Sequence, residues 1–92
     1  MRITLEGTGD LKKFIGEEYQ TIDLHDNAVV ADLLPVIDKR WGLIFPPHIW
    51  DNKRQQFRGP VIIVINKKST RDMNLQLNHG DHIQLVKALV GG

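Results

Sequence analysis
The sequence predicts an α+β fold: a mixed sheet of about four to five strands with one main helix packed across it. Three observations carry that reading. Near the start Met1, Ile3 and Leu5 alternate with Arg2, Thr4 and Glu6, and near the end Ile83 and Leu85 alternate with His82, Gln84 and Val86. Period two marks a half-buried strand. Between them Val30, Leu33, Leu34, Ile37 and Trp41 recur at i, i+3, i+4, i+7 and i+11, the stripe of a helix with one buried face. The run Val61-Ile62-Ile63-Val64-Ile65 is apolar without interruption, as expected of a strand covered on both faces or central in a sheet.

Each element can be justified in order. Gly7-Thr8-Gly9-Asp10 breaks the first strand, and Leu11 to Gly16 reads as a polar-apolar loop with Gly16 at a turn. Gln20, Ile22 and Leu24 then alternate with Tyr19, Thr21 and Asp23, giving a second strand. A connection this short favours an antiparallel hairpin. Asp26-Asn27 is a helix-start signal, while Lys39 and Arg40 in the last turn and Gly42 beyond it suit a helix C-terminus. Pro35 costs ~3 kcal/mol or more in a helix interior. It therefore requires either Asp32 as the cap, with Pro35 in the first turn, or a bend. From Leu43 to Gly59 no period holds: Pro46-Pro47 blocks regular structure, and a polar run from Asp51 to Gln56 separates Trp50 from Phe57. Those two aromatics either pin the long loop to the body or form the apolar part of a partner surface; pinning is the favoured expectation, because large aromatics bury. After residues 61–65, Asn66-Lys67-Lys68-Ser69 reads as a turn, and Thr70 to Leu77 as a connection anchored by Leu75 and Leu77. His79-Gly80-Asp81 is a tight turn in which Gly80 supplies φ > 0.

The 92 residues make one domain, with 41% apolar residues to fill a modest core and 25% charged residues for its surface. A net charge of +1 gives no basic face for nucleic acid or an anionic membrane. No apolar run is long enough for a spanning helix, and the Met1 to Glu6 segment reads as a strand rather than a leader. The absence of cysteine excludes disulfides, cysteine-based metal sites and a cysteine nucleophile; the cytoplasm is the default location. Four histidines, His25, His48, His79 and His82, come without a third placed ligand, so no metal site is expected. Gly7-Thr8-Gly9 lacks the lysine and helix of a phosphate loop, and no carboxylate pair is set for acid–base work. Basic residues recur as Lys12-Lys13, Lys39-Arg40, Lys53-Arg54 and Lys67-Lys68, a solvated surface that could at most steer an acidic partner.

The order strand–strand–helix–strand–strand, with a right-handed crossover placing the first and last strands side by side and parallel, describes the β-grasp, or ubiquitin-like, fold. At this point the sequence resembles the MoaD/ThiS family of sulfur-carrier proteins. The resemblance rests on Arg2-Ile3-Thr4-Leu5, Ala28 to Leu34, Ile63-Val64-Ile65-Asn66, the Leu77 to Ile83 turn into the last strand, and Gly91-Gly92. It covers roughly residues 1–42 and 60–92. The loop of residues 43–59 is longer than compact members need, and Lys87-Ala88-Leu89-Val90 lacks the proline that MoaD-like tails often carry.

The resemblance implies a single β-grasp domain over residues 1–88, with 43–59 as a loop insertion, and a flexible Gly-Gly tail over 89–92. It implies a carrier rather than an enzyme, at most the small subunit of a synthase complex. Gly92 would carry the chemistry. Its carboxylate would be adenylated by an ATP-dependent, ubiquitin-activating-type enzyme (MoeB/ThiF-like), converted to a thiocarboxylate with a sulfur donor, and presented to a MoaE-like or thiazole synthase-like subunit. Gly91 would let the tail thread, and Leu89 and Val90 would dock on the partner. No cofactor would be bound, since ATP and the sulfur donor are used by the activating enzyme. Molybdopterin is the first destination; thiamine thiazole, or isopeptide-linked modification of proteins through Gly92, are the alternatives. The residues suit the part, because glycine lacks the Cβ that would restrict its backbone in a narrow channel. Four extended residues, Leu89 to Gly92, would reach roughly 13 Å.

Overall fold
The computed structural model describes residues 1–59 and 61–87. The opening alternation forms β1 (Arg2–Gly7), which buries Ile3, Leu5 and Gly7. The segment read as a loop is instead a 3-10 turn, Gly9–Leu11, running into one helical turn, α1 (Lys12–Ile15). The reason is packing: Leu11 and Ile15 are four apart, and both drop into the core beside Gly7. A Cβ on Gly7 would meet Leu11 and Ile15 at 3.1 Å. The second strand, β2 (Gln20–Asp23), pairs antiparallel with β1 and sets Ile22 opposite Ile3.

The helix begins later than Asp26-Asn27 suggests. Asn27 takes a positive φ of 67°, and the next residues are drawn into a short bridge. Val30 N–H donates to the Leu75 carbonyl at 3.0 Å, and Leu77 N–H donates to the Ala28 carbonyl at 2.9 Å. A 3-10 turn, Val30–Asp32, then leads into α2 (Leu33–Trp41), capped at Asp32 with Pro35 in its first turn. There the missing proline N–H has no intrahelical partner to lose. The Asp32 carboxylate accepts from the Val29 N–H at 2.8 Å. Leu33, Ile37 and Trp41 are buried, as the stripe predicts.

Residues 43–59 are more ordered than their sequence suggests. They contain a small hairpin, β3 (Trp50–Asp51) against β4 (Gln56–Phe57). Phe45, Ile49 and Trp50 are buried, and Phe57 packs against them. Trp50 and Phe57 meet edge to face at 4.8 Å between centroids, and Phe45 meets Phe57 at 5.9 Å. The two aromatics therefore pin the loop.

The remaining strands are β5 (Val61–Ile65), β6 (Lys68–Thr70) and β7 (His82–Lys87). The predicted turn of residues 66–69 shrinks to Asn66-Lys67, with φ of 48° and 73°. Two left-handed residues match the twist of a tight hairpin, which frees Lys68 to Thr70 to form an edge strand. Leu77 is buried but Leu75 is 41% exposed, so only Leu77 anchors the connection.

The five-stranded sheet runs β2-β1-β7-β5-β6. As predicted, β1 and β7 are parallel at its centre, pairing Thr4 with His82 and Leu5 with Ile83. The strand β5 is interior but buried on one face only: Ile63 and Ile65 point inward, while Ile62 is 36% exposed. Among the described residues no helix is long and apolar enough to cross a membrane.

Candidate functional site
Gly92, Gly91, Leu89 and Val90, the site predicted from sequence, lie outside the described residues, as does Ala88. What is described is the framework that leads to them. Strand β7 ends at Lys87, opposite Val61 at the start of β5. On its other side the Thr8 N–H and hydroxyl both donate to the Leu85 carbonyl, each at 3.0 Å. The 8–15 segment thereby closes over this end of the sheet, and Phe14 of α1 reaches Phe45 at 5.7 Å. The end of α2 and the 43–59 insertion therefore gather at the end of the sheet where β7 finishes. Lys12-Lys13 and Lys39-Arg40 lie on elements at that end. Lys67-Lys68 lies at the other, where the neighbouring Asn66 N–H donates to the His82 carbonyl at 2.9 Å.

The entry to β7 is fixed by side chains, which gives the motif residues Asn66 and Asp81 their purpose. Asp81 is buried and accepts from Asn66 Nδ2 and from the Asn78 N–H, both at 2.8 Å. Asn66 Oδ1 in turn accepts from the His82 N–H at 2.9 Å. Gly80 has φ of 87° and donates its N–H to the Arg2 carbonyl at 2.8 Å. A side chain in that region is strained, so the glycine is required by the backbone. These residues set where β7 starts and so its register against β1. Their role is positional.

A polar cluster on the uncovered phase of β1 and β7 was not foreseen. His82 Nδ1 lies 2.8 Å from the Thr4 hydroxyl, and His82 Nε2 lies 3.1 Å from Glu6 Oε1. Gln84 Nε2 donates to the same Glu6 oxygen at 2.7 Å, and the Tyr19 ring meets His82 edge to face at 4.9 Å. The Glu6 carboxyl is held below the ordinary glutamate range, chiefly by the hydrogen bond with His82 and then by that with Gln84. Hydroxyl, imidazole and carboxylate in a row have the order of an activated nucleophile. Here, however, β1 and β7 are interior strands whose amides are engaged in ladders on both sides, leaving none to stabilise an oxyanion. The cluster is a cross-strand lock. Its signal was present in the polar phases of both strands, but the parallel register that sets Thr4 against His82 and Glu6 against Gln84 could not be read from either alone.

Of the other histidines, His48 is exposed on the 43–59 insertion. His79 Nδ1 accepts from the Arg2 N–H at 2.9 Å, and His25 Nε2 lies 3.6 Å from the Asp32 carboxylate. Among the described residues no three His, Cys, Asp or Glu side chains gather as a metal site.

No protein-family model matches the sequence, and comparison with curated proteins gives no match. Solved structures do match over the whole chain. SAMP1 from Haloferax volcanii superposes with a TM-score of 0.78 at 16% identity, covering 100% of both chains. The small archaeal modifier protein 1 from Methanosarcina acetivorans gives 0.69 at 20% identity, covering 99% of this chain and 96% of that one. A chain from the complex of subunits 1 and 2 of the molybdopterin-converting factor from Helicobacter pylori gives 0.66 at 23% identity, covering 100% of both. The chain thus has the ubiquitin-like β-grasp fold of MoaD/ThiS-type proteins.

Proposed function
We propose that this chain is a ubiquitin-like sulfur carrier whose Gly92 carboxylate is activated as an acyl adenylate and converted to a thiocarboxylate. The observation that carries the reading is the placement of β7. It is a central strand, parallel to β1, and Gly91-Gly92 comes after only three intervening residues beyond Lys87, in a fold that superposes along its whole length on SAMP1 and on the molybdopterin-converting factor chain. A strand held on both sides is a firm base for a short segment that must enter another protein.

The chemistry needs little from the carrier itself. A carboxylate is a poor electrophile. Attack of its oxygen on the α-phosphorus of ATP, in a partner's active site, releases pyrophosphate and makes AMP the leaving group. A sulfur nucleophile then displaces AMP and leaves sulfur on Gly92. The carrier supplies no acid, base or metal; it supplies an unhindered terminus and a surface by which to be held. The destination we favour is molybdopterin, with a second subunit receiving the sulfur, in line with the two-subunit complex of the Helicobacter pylori factor. Likeness to the two modifier proteins supports a second reading, in which activated Gly92 is joined to lysines of other proteins.

Intact mass of the protein from its native host, with and without a thiol-alkylating reagent, tests this. The mass first establishes that Gly92 ends the native chain. With no cysteine in the sequence, a species heavier by one oxygen-to-sulfur exchange and alkylated once is a thiocarboxylate. Isopeptide-linked conjugates in the same extract would favour the second reading. A chain that stays unlabelled after incubation with ATP, a sulfur source and the host's adenylating enzyme would overturn the carrier.

A further inference from the structure
Between Trp41 and Phe45, both buried, the chain holds two large aliphatic side chains in water: Leu43 is 92% exposed and Ile44 54%. The turn that presents them is firmly held. Gly42 N–H donates to the Asp38 carbonyl, and the N–H groups of Ile44 and Phe45 both donate to the Trp41 carbonyl, each at 2.9 Å. Gly42 packs so closely that an added Cβ would stand 2.5 Å from the Asp38 carbonyl oxygen. Leu43 is shared by two adjoining shallow recesses. One, of about 440 Å³, is lined by Lys39, Arg40 and Ile44; the other, of about 340 Å³, by Pro47, Trp50 and Lys53.

The lining of these recesses is net positive, with Lys39, Arg40, Lys53 and Arg58 against Asp38 and Asp51. Asp38 is occupied with Trp50 Nε1 at 2.8 Å and Gln55 Nε2 at 3.3 Å. Asp51 is occupied with Arg58 at 3.3 Å and Arg54 at 4.0 Å. Lys39, Arg40 and Lys53 form no ion pair among the described residues. A single exposed leucine is ordinary. Two adjacent aliphatics on a rigid turn, beside recesses and among cations that form no ion pair, Arg40 lying over the Trp41 ring at 5.8 Å, have the layout of an interface centre with a polar rim.

We propose that Leu43 and Ile44, ringed by Lys39, Arg40 and Lys53, dock on an acidic and apolar surface of the adenylating enzyme that takes up Gly92. The inference rests on the carrier reading above and adds a contact that the tail does not supply. Its basis is position and charge. The turn sits at the end of the sheet where β7 finishes, tied there by the Phe14–Phe45 contact, so one partner can hold the turn and the tail together. Cations at the rim select an acidic face and speed its encounter.

The test is ATP–pyrophosphate exchange by the host's adenylating enzyme, followed against the concentration of the full chain. The Leu43→Ser/Ile44→Ser variant should melt as the wild type does, since both side chains are exposed. Its KM should rise about tenfold or more, with kcat within about twofold because the adenylation chemistry is untouched. A Lys39→Glu/Arg40→Glu variant should raise KM and lose the salt dependence that the wild type shows. Wild-type KM in both variants would overturn the docking site. Failure of the wild-type chain to be adenylated at all is a different result, and would remove the carrier reading along with it.

Discussion

Glu6 shows how one side chain can hold the two central strands together. It faces His82 and Gln84 across the parallel ladder, and both hold its carboxylate in the charged form. Because the folded state lowers its pKa, the stabilisation is fully present above the unfolded value, about 4.3. It is lost as pH falls from there through the folded value. Glu6→Gln should therefore flatten the fall of stability with pH below the unfolded value, the side on which that downward shift acts. At pH 7 the variant should cost about 1 kcal/mol, the worth of the hydrogen bonds it weakens. Urea midpoints across this range, for wild type and variant, would check it; parallel curves would mean Glu6 contributes nothing. Asp51 acts similarly in the small hairpin. Its carboxyl is held down first by the Arg54 N–H and then by the Lys53 N–H, with Arg58 and Arg54 adding charge, so it adds to the same acid loss. Of the residues the sequence singled out, Gly80 was legible because its role is local: a positive φ needs no neighbour to be read. Glu6 was not, because its partners lie at the far end of the chain.

Within the elements, α2 and the 43–59 insertion depend on each other. Trp50 fills the space among Phe45 and Phe57, and its indole N–H donates to Asp38 on α2 at 2.8 Å. Trp50→Ala removes both packing and donor and should cost about 3–5 kcal/mol. Trp50→Phe keeps a ring and loses the hydrogen bond, for about 1–2 kcal/mol. Urea unfolding, with Trp41 retained as the fluorescent reporter, would give both numbers. Equal losses in the two variants would show that the ring contributes nothing beyond the indole N–H. The helix was readable because its apolar stripe repeats, and Pro35 fell in the first turn as one of its two permitted placements. The insertion was unreadable beyond its aromatics: β3 and β4 are two residues each, too short to show a period. The 3-10 entry to α2 was hidden for another reason. Ala28 to Val30 carry helix-compatible apolar residues, but their backbone groups go to Leu75 and Leu77, an arrangement set by tertiary contact.

For the whole molecule the decisive feature is that the last strand closes the centre of the sheet. Thr4 pairs with His82 and Gly7 with Leu85, so the two ends of the sequence meet in the core, and Ile3, Leu5, Ile83 and Leu85 are all fully buried. The alternation at both ends and the right-handed crossover made this pairing predictable. The edge strand β6 was not, because Lys68 to Thr70 looks like turn sequence. Closure at the centre makes folding and the proposed chemistry separable by truncation. A chain ending at Asp81 lacks β7 and loses Ile83 and Leu85, each worth about 1.5–3 kcal/mol of burial. It also leaves the inner edges of β1 and β5 unpaired. Against a typical stability of about 5–15 kcal/mol, that chain should show no cooperative thermal transition. A chain lacking only Gly91-Gly92 removes nothing from the described core and should melt as the full chain does, yet it should give no adenylation with the host enzyme. Circular dichroism melts and pyrophosphate exchange on the two truncations would decide it. A diglycine deletion that still turned over would show that the chemistry resides in the folded body rather than at Gly92. A cooperative melt from the chain ending at Asp81 would show that the pairing of first and last strands is dispensable.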